Sequence, residues 1–164
     1  MSRQHIISVL LENEAGALSR VSGLFSARAY NIESLTVAPT QDPTLSRLTL
    51  VTVGNDETIE QIKKQLNKLI DVVKLIDLSE SFSLERELVL LKVKKNDAML
   101  QKSDSLGTDS SARITDETDG YLIVELSGEK AWLDDFLSSL ENEVIDVVRT
   151  GVIGLSRGER SLTL

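Results

Sequence analysis

The 164-residue chain has no cysteine, one histidine, two prolines and only 4% aromatic residues. Each shortage removes a class of protein. Without cysteine there is no disulfide framework, no thiolate chemistry and no Cys-based zinc site, so a cytoplasmic protein is the simplest reading. The lone histidine, His5, offers no His pair for a metal, and at a strand start it reads as an ordinary strand residue. Positive charge is also short: 18 Lys and Arg against 26 Asp and Glu leave a net charge of −8. That argues against a nucleic-acid surface, which needs cations to displace counterions from phosphates. Long apolar runs are missing as well. The N-terminal "IISVLL" is only about six residues before acid appears, too short for a signal peptide or a membrane span.

Motifs for chemistry are equally scarce. No Gly-rich Lys-Ser/Thr phosphate loop occurs, and "GVIGLSRG" lies on no strand–turn–helix pattern. The carboxylates of "GTDSSARITDETDGY" lack the spacing and closing Glu of a Ca²⁺ loop and read as a solvated loop. No plausible set of nucleophile, acid and base is present, so the chain reads as non-catalytic.

What remains is enough for a core. Hydrophobic residues make up 41% and charged residues 27%, which fits one ordinary domain or two small ones. Ile6 to Leu11 read as a strand buried on both faces. Leu18, Val21, Leu24 and Phe25 give a helix from Gly16 to about Ala29. "NIESLTVA", Asn31 to Ala38, returns to period two, and the prolines of "PTQDPT" bracket a turn before a strand at Leu45 to Val53. Ile59, Ile62, Leu66, Leu69 and Ile70 stripe a second helix, and Val72 to Leu78 form a fourth strand.

The second half repeats the order: a strand at Leu88 to Lys94, a hairpin at Asp119-Gly120, a helix capped by Ser127 with Trp132, Leu133, Phe136, Leu137 and Leu140 on one face, and a strand at Val144 to Val148. The stretch from Asn96 to Ser111 reads as a poor helix or a loop. The fold class is therefore α+β, two ferredoxin-like βαββαβ domains in tandem, residues 1–80 and 81–164. Such a unit can stack RNA bases on central aromatics, but these strands offer Ile, Val, Leu and Thr instead.

One junction invites a ligand. In "LLENEAGALSRVSGLF" the strand ends at Asn13 and Glu14, and a helix starts directly after Gly16. The first N–H groups of that helix, around Gly16 to Ser19, lack intrahelical partners and carry the positive end of its dipole, so an anion fits there. The amides of Asn13 and Asn31 can pair with an ammonium or a carboxylate. In a βαββαβ unit they lie at opposite ends of the first helix, so joining them takes two chains. A helix start capped by Asn13 or Glu14, with Gly16 in an ordinary turn, stands as the alternative.

The run "ISVLLENEAGALSRVSGLFSARAYNIESLTVAPTQDPTLSRLTLVTVG", with "EQIKKQLNKLIDVVKL", "ERELVLLKV" and "RTGVIGLSRGER", resembles the small regulatory subunit of acetolactate synthase. That resemblance implies an N-terminal amino-acid-sensing ACT domain and a second ferredoxin-like domain. It implies a chain that activates a separate large catalytic subunit and confers feedback inhibition by valine in branched-chain amino-acid synthesis. The catalytic subunit, not this chain, would hold thiamine diphosphate, FAD and Mg²⁺. Carried over by residue, the effector region falls on Asn13, Gly16, Ala17, Leu18 and Ser19, with Asn31 and Ile32 of a neighbouring copy in a homodimer. An ACT sensor of another enzyme is the rival reading. Ala29 stands where the family usually has Gly.

Overall fold

The computed structural model describes residues 2–80, 82–95, 111–140 and 143–163. The stretch from Asn96 to Ser110 lies outside them, and only Ser111 of the segment read as a poor helix is described, at the start of a strand. Two compact units emerge: Met1–Leu84 with Val152–Leu164, and Glu85–Gly151.

In the first unit the order is β1 (Arg3–Glu12), α1 (Ala17–Ala27), β2 (Ser34–Pro39), β3 (Leu45–Gly54), α2 (Asp56–Leu66) and β4 (Val72–Asp77), the βαββαβ order read from the sequence. The strands form an antiparallel sheet ordered β2-β3-β1-β4. Because strand side chains alternate, β1 feeds two layers. Ile7, Val9 and Leu11 meet Val21, Leu24 and Phe25 of α1 and Ile59, Ile62 and Leu66 of α2. Ile6 and Leu10 face the other way, with Leu45, Val51, Ile76 and Leu78. That second layer is completed from far along the chain, by Val152 and Leu162. Lys74 Nζ donates to the carbonyls of Ser161 and Thr163, fastening the same segment.

Local chemistry fixes the helix ends. The Asn55 side chain accepts from Thr58 N–H, with Asp56 and Glu57 in the first turn of α2 and Lys63 and Lys64 in its last, matching cap and dipole. The helix ends at Leu66, so Ile70 falls outside the stripe assigned to it and is exposed. Helix α1 closes in a Schellman pattern: Tyr30 N–H donates to Phe25 and Ala29 N–H to Ser26. The Tyr30 and Phe25 rings meet edge to face, centroids 6.1 Å apart. This puts Ala29 at φ 55°, the left-handed region that favours glycine.

The second unit carries β5 (Ser83–Lys94), β6 (Ser111–Thr118), β7 (Tyr121–Gly128), α3 (Lys130–Ser138) and β8 (Val144–Arg149). The sheet is ordered β6-β7-β5-β8. The last strand, β9 (Ile153–Ser156), lies in the C-terminal segment that belongs to the first unit. Asp119 and Gly120 make the expected tight turn, with Gly120 at φ 88°. Ser127 does not cap the helix: it lies in β7, paired to Leu88, and Glu129 takes the cap position without a side-chain bond. Leu133 is buried with Trp132, Phe136 and Leu137 packed beside it, as the helix face read from the sequence requires, whereas the helix ends at Ser138 and Leu140, also buried, lies just beyond it.

Candidate functional site

The loop from β1 to α1 is held by its neighbours. Asn13 N–H donates to the Thr44 carbonyl at 2.7 Å, its Nδ2 to the Pro43 carbonyl at 2.9 Å, and its Oδ1 accepts from Ser46 Oγ at 2.9 Å. The amide foreseen as a ligand contact therefore already braces the loop against the start of β3. The receiving turn is itself set by Asp42, whose carboxylate accepts from Thr44 Oγ1 and N–H, bonds that lower its pKa.

Gly16 sits at φ 93°, ψ −15°, which needs a glycine in its own right. It precedes α1 with no side-chain cap and no acid in the first turn. Ala17 N–H reaches the Glu14 carbonyl at 3.3 Å and Arg20 N–H the Gly16 carbonyl at 2.9 Å, whereas the N–H groups of Leu18 and Ser19 find no acceptor among the described residues. The positive end of the dipole is left open.

The sequence reading missed Arg20. Its Nε and Nη2 donate to the two carboxylate oxygens of Asp71 at 2.5 and 2.6 Å, and Asp71 is buried. That bond raises the Arg20 pKa and lowers that of Asp71. The remaining nitrogen, Nη1, lies 3.0 Å from where a Cβ on Gly16 would stand. The space left by the absent side chain is thus taken by a guanidinium with free donors, beside the open N–H groups. Nothing in the spacing of Gly16 and Arg20 reveals this; the distant Asp71 sets the direction of the guanidinium.

The predicted residues fall into two groups. Asn13, Gly16, Ala17, Leu18 and Ser19 share the end of β1, where Ala17 is buried and the rest are exposed. Asn31 and Ile32 precede β2 rather than lying in it. The Asn31 carbonyl accepts from buried Thr52 Oγ1 at 2.6 Å, and Ile32 packs on the core below. Ser46 and Thr52, the anchors of Asn13 and Asn31, stand six residues apart on β3, which is roughly 20 Å of extended chain. One copy does not bring the two asparagines together.

His5 has a partner that sequence did not reveal. Its Nδ1 lies 3.1 Å from Asp77 Oδ2, and its Nε2 accepts from Arg3 Nε at 3.2 Å, so Nδ1 carries the proton and donates. The His5 and Asp77 side chains are both buried, and Asp77 also accepts from Ser79 N–H. The pair ties β1 to β4. Among the described residues no group of three or more His, Cys, Asp or Glu side chains is arranged to hold a metal, and no helix is long and apolar enough to cross a membrane.

Two family models match. One, described as the AHAS small subunit-like ACT domain, covers residues 7–74, and the other, described as the small subunit of acetolactate synthase, covers residues 86–158. The chain is 50% identical to the acetolactate synthase small subunit of Haemophilus influenzae, over 97% of this chain and 99% of that one. It is 48% identical to the acetolactate synthase isozyme 3 small subunit of Escherichia coli, over 96% and 98%. The crystal structure of the acetolactate synthase small subunit from Thermotoga maritima superposes with a TM-score of 0.84 at 33% identity, covering 96% of this chain and 99% of that one.

Proposed function

Because the chain belongs to the family of acetolactate synthase small subunits, we propose that it activates a separate catalytic subunit and conveys feedback inhibition by valine to it, with no chemistry of its own. It is a regulatory subunit serving branched-chain amino-acid synthesis. Thiamine diphosphate, FAD and Mg²⁺ belong to the catalytic subunit, and both proteins work in the cytoplasm. The working form of this chain is a homodimer in which β2 or α1 meets its two-fold mate.

The observation that carries this reading is the open start of α1. Two free N–H groups and the Arg20 guanidinium converge beside Gly16, which suits a carboxylate. Asn31, at the far end of β3, can complete such a site only from a second copy, where its amide would read the ammonium group. Valine supplies both charges and a small apolar side chain.

The test is reconstitution. The chain alone should form no acetolactate from pyruvate. Added to a purified catalytic subunit, it should raise the rate and make it sensitive to valine. Turnover by the isolated chain, or a catalytic subunit indifferent to its presence, would refute the proposal. Sensitivity to a different amino acid would move the assignment to the rival reading.

A further inference from the structure

Each of the two sheets has two edge strands, and an edge presents backbone N–H and C=O groups that pair with any strand able to approach. Three of the four edges are blunted. In β6 the charges of Arg113, Asp116 and Glu117 and a bulge between Ile114 and Asp116 break the edge. In β4 the ladder skips Val73, and Lys74 is tied to the carbonyls of Ser161 and Thr163. β2 ends in Pro39, which has no N–H to donate. The fourth edge, β8, is different. Val144, Ile145, Val147 and Val148 are β-branched and apolar, and the last three are 44%, 36% and 61% exposed. A bulge at Ile145 leaves the run from Asp146 to Arg149 in regular pairing with β5, and no strand lies on its outer side among the described residues.

That regular run fixes which groups point outward. Val148 pairs with Leu90, and Thr150 N–H donates to the Leu88 carbonyl, so Val148 and Thr150 turn their backbone groups to β5. Val147 and Arg149 turn theirs to the open edge. The Val147 N–H is capped by its neighbour, donating to Asp146 Oδ1 at 2.9 Å. Charge then limits what the edge can accept. The whole chain carries −8, so two copies repel wherever acids face each other. On β8 the Arg149 guanidinium is already held by Glu87 and Asp134, which leaves Asp146 as the strand's one acid. A two-fold centred on Val147 sets that residue opposite the same residue of a second copy, exchanging both N–H···O bonds. Asp146 then lies opposite Val148, not opposite another Asp146. The strand is its own complement in hydrogen bonds, apolar side chains and charge. β6, with two acids and one arginine, is not.

We propose that β8 pairs antiparallel with β8 of a second copy across a two-fold at Val147, joining the two sheets. This goes beyond the contact through β2 or α1 and needs neither the effector nor the catalytic subunit. Asp146 sets the strength of the pairing. Its carboxylate has to release the Val147 N–H before the carbonyl of the second copy can accept it.

Amide hydrogen exchange on the full chain tests this at Val147 and Arg149, whose N–H groups point away from β5. In concentrated solution both should exchange about ten- to a hundred-fold more slowly than after dilution. Val147→Pro removes an outward N–H and no bond to β5, so an edge strand tolerates it, and Arg149 should then exchange fast at every concentration. Asp146→Ala removes the cap and should keep both amides protected to lower concentration. Fast exchange at all concentrations in the unaltered chain overturns the proposal. Slow exchange at all concentrations, unchanged by Val147→Pro at Arg149, also overturns it, because the cover then comes from within the chain. So does slowing that appears only on adding the catalytic subunit, which would make that protein the partner of the strand. The dilution series on the unaltered chain decides the matter even if Val147→Pro does not fold.

Discussion

Asp71 grips Arg20 through both carboxylate oxygens, at 2.5 and 2.6 Å, and by doing so aims the third guanidinium nitrogen at the bare α-carbon of Gly16. Asp71 also accepts from Glu12 N–H through its backbone carbonyl, so one residue ends β1 and orients α1. The geometry of the open helix start therefore depends on a residue more than fifty positions away.

Replacing that carboxylate should be visible in a pH series. Hydrogen bonding to Arg20 holds the Asp71 pKa below its ordinary value. A depressed carboxylate contributes stability that is present above its unfolded pKa and is lost as pH falls through the folded one. Asp71→Asn should accordingly melt below the unaltered chain at neutral pH, and the gap should close on acidification below the ordinary carboxylate range. Thermal melts across that range test it. A gap that stays constant with pH would exclude the ion pair as its source.

Ala29 should be an easy site to improve. An alanine held in the left-handed region carries a strain of about 1–2 kcal/mol, partly offset by the extra unfolded-state freedom of glycine, about 0.4–1 kcal/mol. Ala29→Gly should raise stability by about 0.5–1 kcal/mol, read as a rightward shift in a urea melt with an unchanged slope. No shift would mean that the Schellman bonds relax the turn in solution.

The return of the C-terminal segment to the first unit predicts an effect at a distance. Leu162 is 4% exposed against Ile6, Leu10, Ile76 and Leu78. Leu162→Ala should cost about 2–5 kcal/mol. Hydrogen exchange should then speed up at the amides of β1 and β4. Faster exchange confined to β5–β8 would contradict this placement.

The shared pocket has its own test. Gly16→Asp puts a second anion where the ligand carboxylate would lie, on a backbone at φ 93° and against Arg20 Nη1. It should abolish valine inhibition while leaving activation of the catalytic subunit largely intact. Asn31→Ala should leave a buried ligand group unpaired and weaken valine binding about five- to a hundred-fold. If the two residues belong to one pocket built from two chains, mixing the variants gives heterodimers in which one pocket carries both lesions and the other carries none. Calorimetry on the mixture should recover tight valine sites. A pocket within one chain would recover nothing.

The strand of Ile6 to Leu11 buried on both faces, the helical stripes of α1 and α2, the "DG" turn and the repeated order were all legible as sequence, because period and turn chemistry are local properties of the chain. So was the placing of a glycine at the helix start. What the sequence could not determine are relations between distant residues. Arg20 has Asp71, His5 has Asp77, Arg149 has Glu87, and Val152 and Leu162 lie under the first sheet, yet nothing in the spacing of either member names the other. Ser127 looked like a cap because Ser is a good one, but burial of β7 against β5 extended the strand through it. Asn13 looked free for a ligand, and only the folded β2–β3 turn showed its amide engaged. Local pattern sets which elements form. Which side chains meet across them is decided by packing, where burying a face or a charge requires a partner that the chain supplies from wherever the fold brings it.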